Sequence, residues 1–292
     1  MAKKFSKPEL SRKINGDIPF DATPDVEEVP KVRLDMATLE QYPRYSRATI
    51  QKFIKNGQVT VDGDIIDKPN FLIDENSDIE LTVAEAEEGE KPPVIYEDDD
   101  VIVFNKPAGM LTVSKGAYNP EPTLEQYGEI VHRLDRDTSG VVIVAKNFKA
   151  KSYLQKQFQD RKAHKTYYAV TVGRPKVDHA IINIPLTRNL KKPTTFMVSK
   201  DGREAITEYR VLGSNDKYSL IELKPRTGRT HQLRIHLAHI GTPILGDPVY
   251  NPKSPKANRM YLHAAMLEIT VPSGKRLTFT ADLPEEFRDV VR

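Results

Sequence analysis

Cysteine is absent from the 292-residue chain. That excludes disulfide partners, thiolate metal sites and thiol nucleophiles, and it fits a cytoplasmic home. Long apolar runs are missing too. No window offers the ~18 consecutive apolar residues of a membrane helix, so no membrane partner is expected. The N-terminal MAKKFSKPELSRKING has no apolar core of the kind an export signal needs. Glycine is sparse, at 15 residues, and forms no nucleotide-binding loop; Ser139 and Ser199 sit in no Gly-x-Ser-x-Gly elbow. Nothing asks for ATP, NAD or a metal, and no cofactor is expected. A dominant charge is lacking as well. With 44 Lys+Arg against 41 Asp+Glu the net charge is +3, so any case for nucleic acid rests on where the charges sit.

What is present is a dense charged stretch. Residues 131–140 read Val-His-Arg-Leu-Asp-Arg-Asp-Thr-Ser-Gly, and Val141-Val142-Ile143-Val144-Ala145 follows as a buried β-branched strand. A charged loop feeding a core strand is where a scaffold displays chemistry. In an extended loop, Arg133, Asp135 and Asp137 share one side, and His132, Leu134 and Arg136 the other. An aspartate flanked by guanidinium groups is held ionised, which suits a nucleophile or a base. A surface turn closed by an Arg–Asp ion pair is an equal reading of these residues alone.

The rest of the chain falls into segments. Residues 1–29 are polar and read as a mobile tail. Residues 30–84 form a small unit, in which Ser46 caps a helix that buries Ile50, Phe53 and Ile54 and ends at Gly57. The opposite face of that helix carries Arg47, Gln51 and Lys55, with Arg44 before the cap. A hairpin over 58–66 turns at Asp62-Gly63. Residues 85–93 are an acidic, proline-ended linker. In residues 94–292, strands are expected at 101–104, 165–172, 205–212 and 219–223. A helix over 148–160 should turn Ala150, Tyr153, Leu154 and Phe158 inward. Strands outnumber helices without alternating with them, which predicts an α+β fold with a mixed, largely antiparallel sheet.

A second cluster spans Arg226–Gly241. Gly228 reads as the flexible entry to a helix, with Leu233, Leu237 and Ile240 on one face. His231, His236 and His239 are spaced by five and three with no carboxylate among them, which is not the pattern of a zinc helix. Arg229 and Arg234 fit phosphate or carboxylate binding better. One cluster is rich in carboxylate and the other in guanidinium. Docking one on the other neutralises both, and it would also hold an aspartate in place.

Arg33-Leu34-Asp35, Tyr45–Lys52 and Gly57–Gly63 resemble an S4 domain, a small RNA-binding module. The resemblance implies that Arg44, Arg47, Gln51, Lys52 and Lys55 lie against RNA phosphates, as a basic helix face allows. Residues 94–292 resemble the RluA-type pseudouridine synthases, in particular their S4-bearing RluC/RluD-like branch. The likeness is carried by His132–Gly140, Lys165-Thr166-Tyr167-Tyr168-Ala169 and Thr227–His236 continuing to Gly246-Asp247. Ile95–Asp98 and Asn105–Gly109 add to it.

This second resemblance implies cofactor-free isomerisation of uridine in RNA on a mixed sheet with a central cleft. It makes Asp135 the catalytic carboxylate that frees the base from its C–N bond. Tyr167 would stack on the uracil, Arg234 would pair with Asp135, and Leu233 would lie beside the base. Arg133 would fill the space of the flipped uridine, and Arg229 and His231 would bind substrate. The segment between Thr123 and His132 is shorter than in relatives, and Ser114 stands where many have histidine; both bear on the choice of RNA. Ribosomal RNA is the preferred target, tRNA the alternative, and a monomer the expected state. Two rivals remain: an RNA-binding factor that kept this fold without catalysis, and a glycosidase using Asp135 and Asp137.

Overall fold

The computed structural model describes residues 30–43, 45–83, 89–114 and 121–292. The expected tail, Arg44 and linker residues 85–88 lie outside them. The chain divides into two compact units, Met1–Thr82 and Val83–Arg292.

In the first unit β1 (Lys31–Arg33) runs into α1 (Leu34–Gln41), followed by α2 (Arg47–Lys55), β2 (Val59–Val61), β3 (Asp64–Ile65), β4 (Leu72–Asp74) and β5 (Ile79–Leu81). Ser46 is extended, and its hydroxyl accepts the Thr49 N–H at 3.3 Å, which starts α2 where the sequence places its cap. Ile50, Phe53 and Ile54 fall on one helical face and are buried. Asp62 and Gly63 have φ of 52° and 87°, the left-handed pair that a tight hairpin needs, and β2 pairs antiparallel with β3.

The second unit contains β6 (Val94–Glu97), β7 (Val101–Lys106), a 3₁₀ turn (Leu124–Tyr127), β8 (Glu129–Ile130), β9 (Ser139–Ala145) and α3 (Phe148–Gln159). Then come β10 (His164–Val172), β11 (His179–Asn183), β12 (Leu186–Arg188), β13 (Phe196–Val198), β14 (Ile206–Ser214) and β15 (Tyr218–Pro225). The unit ends with α4 (Gln232–His239), β16 (Leu262–Thr270), β17 (Arg276–Thr280) and α5 (Glu285–Asp289). One sheet runs β11-β14-β15-β10-β16-β9-β7-β6, with β17 on β16 and β8 on β9. Its pairs are antiparallel except β9 with β16, so the sheet is mixed and largely antiparallel.

Two cores flank the strands. Ala150 and Leu154 of α3 pack with Val101, Val141 and Ile143. Leu233 and Leu237 of α4 pack with Ala169, Ile221 and Leu223. Tyr153 departs from expectation. It is exposed, because α3 covers the sheet with a narrower stripe than its apolar residues suggested. The parallel contact between β9 and β16 is short, pairing Ser139 with His263 and Gly140 with Ala264. There Gly140 has φ +115°, and a Cβ would stand 2.1 Å from the Ala264 carbonyl oxygen. Only glycine fits at this crossing, and the charged loop opens immediately before it.

Candidate active site

The 131–138 loop and α4 meet over the sheet and line a cleft of about 570 Å³. Asp135 reaches it with its side chain one-fifth exposed, and Arg234 Nη1 donates to Asp135 Oδ2 at 3.0 Å. Arg234 is itself buried. Its Nε and Nη2 donate to Asp247 at 2.7 and 2.8 Å, a two-pronged contact that fixes the guanidinium plane. Asp247 is held in turn by the Val249 and Tyr250 N–H groups. Burial pushes the Asp247 pKa up, but Arg234 and these amides outweigh it and leave the carboxyl below its usual range. Arg234 also lies over the Tyr250 ring, 5.2 Å from its centroid. The two charged clusters thus dock as their composition suggested. A third carboxylate, Asp247, does most of the anchoring.

His231 enters α4 in a left-handed conformation, φ +57°. The left-handed turn into the helix is thus made at His231, three residues after Gly228, the glycine read as its flexible entry. The His231 Nδ1 is 2.9 Å from the Tyr250 hydroxyl, and its Nε2 lies 3.8 Å from Asp135. Burial lowers its pKa against the pull of Asp135. The other two histidines go elsewhere. His236 lies 2.9 Å from the Thr207 hydroxyl and 3.0 Å from the Ile184 carbonyl, and burial keeps it neutral; His239 is exposed. Tyr167 lines the cleft from β10. Burial first, and Asp135 second, raise its phenol well above the ordinary range, so it stays protonated. Leu233 lines the same cleft and is buried. Arg133 is exposed at its edge and makes no hydrogen bond or ion pair among the described residues. Arg229 donates from Nε to the Glu204 carbonyl at 3.0 Å.

The expected alternation does not hold: His132 and Leu134 line the cleft together with Arg133 and Asp135, and Asp137 does not. The chain turns at Arg136–Asp137, closed by Thr138 N–H donating to the Asp135 carbonyl at 3.1 Å. Asp137 is consequently not among the residues lining the cleft, and its charge favours Lys106 and Arg259 instead. The glycosidase rival, which needs both carboxylates in one cleft, has one.

Lys106 is a residue that pattern reading passed over. It is fully buried at the end of β7, and its Nζ donates to the carbonyls of Pro107, Met110 and Arg136 at 2.9, 2.8 and 3.0 Å. Burial pushes its pKa down to about 7, while Asp137 and Asp135 oppose the shift. Thr112 adds a second tie, donating to the Leu134 carbonyl at 2.9 Å and accepting the Leu134 N–H at 3.2 Å. The 105–112 segment is therefore the floor of the loop that carries Asp135. The Asn105–Gly109 break was visible in the sequence, but its partner carbonyls were not.

In the first unit, Asp35 is fully buried and accepts from Arg33, Arg47 and Gln51, which holds its carboxyl far below the usual range. Two of the expected phosphate-facing residues, Arg47 and Gln51, are thus oriented by Asp35. Lys52 and Lys55 are exposed.

Comparison with known proteins places the chain in a family. The RNA pseudouridylate synthase family model matches residues 100–239, and the S4 domain model matches residues 32–79. Ribosomal large subunit pseudouridine synthase D of Escherichia coli K12 is 34% identical over 89% of this chain and 89% of its own length. The protein of the same name from Salmonella typhimurium is 36% identical, again over 89% of each chain. The solved structure of human RNA pseudouridylate synthase domain containing 1 superposes with a TM-score of 0.59 at 26% identity, covering 67% of this chain and 86% of that one. A protonated tyrosine, an arginine-held aspartate and a cationic cleft thus sit on the sheet that these relatives share, and the chain belongs to the RNA pseudouridine synthase family.

Proposed function

We propose that this enzyme isomerises uridine in large-subunit ribosomal RNA, with Asp135 as the catalytic carboxylate. The observation that carries the reading is the Asp247–Arg234–Asp135 chain: a buried, doubly anchored guanidinium presents one carboxylate to a cleft otherwise rich in cations. A uridine flipped into this cleft places its sugar against Asp135. The carboxylate acts on the nucleotide as the C1′–N1 bond breaks, the freed base turns, and C1′ bonds to C5. The C5 proton is then lost and N1 gains one, so the reaction is balanced without cofactor or metal.

Tyr167 serves as stacking platform rather than base, since its phenol stays protonated. Leu233 packs beside the ring. Arg133, unpaired and exposed, is free to occupy the space of the flipped base. Arg229 and His231 complete the substrate contacts, and the basic face of α2, continuing from Arg44, meets RNA phosphates. The ribosomal target is supported by the names of the bacterial relatives and by the S4 match. A ribosomal substrate and a cysteine-free sequence support a cytoplasmic location.

The test is pseudouridine mapping across cellular RNA from cells carrying the wild-type protein or Asp135→Ala. Loss of pseudouridine at defined large-subunit positions is expected. Persistence of every such site, in cells without a redundant synthase, would leave an RNA-binding factor on a synthase fold. Loss confined to tRNA would move the target.

A further inference from the structure

Lys165 stands in the same cleft, and no step above uses it. It precedes Tyr167 by two positions on β10, so both side chains leave the strand on one face and both line the cleft. Its ammonium is part-buried under the 227–229 turn, where a Cβ added to Gly228 would meet Nζ at 3.5 Å. Among the described residues it makes no hydrogen bond and no ion pair. Lys106 is the contrast, a buried ammonium with three carbonyl acceptors in place. Burial moves the Lys165 pKa down to about 8, and no carboxylate acts against the shift. An ammonium drawn part-way out of water without a partner is unfavourable, and an arriving anion relieves it.

The surroundings identify that anion. Besides Asp135, Arg234, His231, Tyr167 and Arg133 described above, the charged and titratable groups that line the cleft with Lys165 are Arg161 after α3, Arg203 before β14, Arg226 and Arg229 after β15, and His132, which burial holds neutral. Arg161 is paired with Glu204 and Arg226 with Glu208, whereas Arg203 has no such partner among the described residues. A concave, mainly guanidinium-lined pocket in an RNA enzyme matches a phosphodiester.

We propose that Lys165 is the part-buried receiver for one backbone phosphate of the RNA strand entering the cleft, fixing the depth at which the uridine meets Tyr167. The inference rests on the reading that uridine in RNA occupies this cleft.

The experiment uses the full chain and an unmodified large-subunit ribosomal RNA transcript. Binding is measured across salt concentrations, and pseudouridine formation at limiting and saturating RNA. Lys165→Met is expected to raise Kd and KM on the order of 10-fold to 100-fold, the effect of one charge-assisted hydrogen bond. It should lower the slope of log affinity against log salt by about 0.7 to 0.9, the signature of one lost phosphate contact, while kcat stays within about two-fold. Lys165→Arg restores the slope, which a merely structural role would not do. Methionine fills the same volume and needs no partner, and Lys165→Gln is read by the same slope should Lys165→Met fold poorly. An unchanged slope with pseudouridine still formed overturns the proposal and leaves the enzyme reading intact. So does a fall in kcat at unchanged KM, which would assign the ammonium to the departing base. If the wild-type chain forms no pseudouridine on this transcript while the slope still falls, the phosphate contact stands and the target assignment falls.

Discussion

Arg234 divides one guanidinium between two carboxylates, and the division explains why Asp135 can be both held and available. The Nε and Nη2 edge is committed to buried Asp247, leaving Nη1 for Asp135, whose second oxygen faces the cleft and His231. A lysine here could offer charge but not two fixed edges. His132, three positions before Asp135, has the opposite task. The Ile143 N–H donates to its Nε2 at 3.2 Å, and its ring stacks on Phe158 with centroids 4.7 Å apart. Burial lowers its pKa from 6.5 to about 3, so the folded protein keeps it neutral where the unfolded chain would protonate it. Unfolding therefore takes up a proton between about pH 3 and pH 6.5, and stability falls as pH drops through that window. His132→Gln keeps an acceptor for Ile143 without the titration. Denaturant unfolding at stepped pH should show the slope of stability against pH reduced by up to about 1.4 kcal/mol per pH unit in that window. An unchanged slope would mean that His132 is protonated in the native state.

At the scale of elements, the loop carrying Asp135 is held by a neighbouring loop rather than by its own turn. Lys106 joins the end of β7 to the Arg136 carbonyl, Gly109 N–H donates to the same carbonyl at 2.9 Å, and Thr112 brackets Leu134. Lys106→Met would leave the Pro107 and Met110 carbonyls without their donor and take one of two donors from the Arg136 carbonyl, each loss costing up to about 1–3 kcal/mol. Amide exchange at Gly109 and Leu134 should accelerate on the order of 10-fold to 100-fold, kcat should drop, and KM and secondary structure should change little.

The sequence was legible in this region up to a definite point. The β-branched run after the charged loop announced β9, the Ser46 cap announced α2, and the paired clusters announced the contact between Asp135 and Arg234. Helix α1 gave no such signal. Its buried positions are Leu34, Asp35 and Thr38, so polar groups lie where an apolar stripe would be sought, and they are satisfied by Arg33, Arg47 and the Leu34 carbonyl. The turn that removes Asp137 from the cleft and the Lys106 clamp were less legible. Both are made by backbone carbonyls, those of Asp135 for the turn and of Pro107, Met110 and Arg136 for the clamp, and periodicity does not report where carbonyls point. The charged clusters were readable because charge and spacing are properties of sequence; their supports are properties of closure.

For the whole molecule, the even balance of charge conceals where the cations lie. With a net charge of only +3, a general attraction to RNA is weak, so affinity must come from built sites. The cleft is one candidate, and α2 of the first unit is the other. There Asp35 neutralises part of the charge of Arg33 and Arg47 while orienting them, and Lys52 and Lys55 stand exposed with no ion pair among the described residues. If α2 meets backbone phosphates, the double substitution Lys52→Ala, Lys55→Ala removes two contacts made by residues outside the cleft lining. The slope of log affinity against log salt should fall by about 1.4 to 1.8, with KM rising in step. At saturating RNA, kcat should match wild type, because neither lysine belongs to the cleft. Single-turnover pseudouridine formation on the ribosomal transcript separates the two effects. A lowered kcat with an unchanged salt slope would show that this helix face supports the protein rather than the RNA.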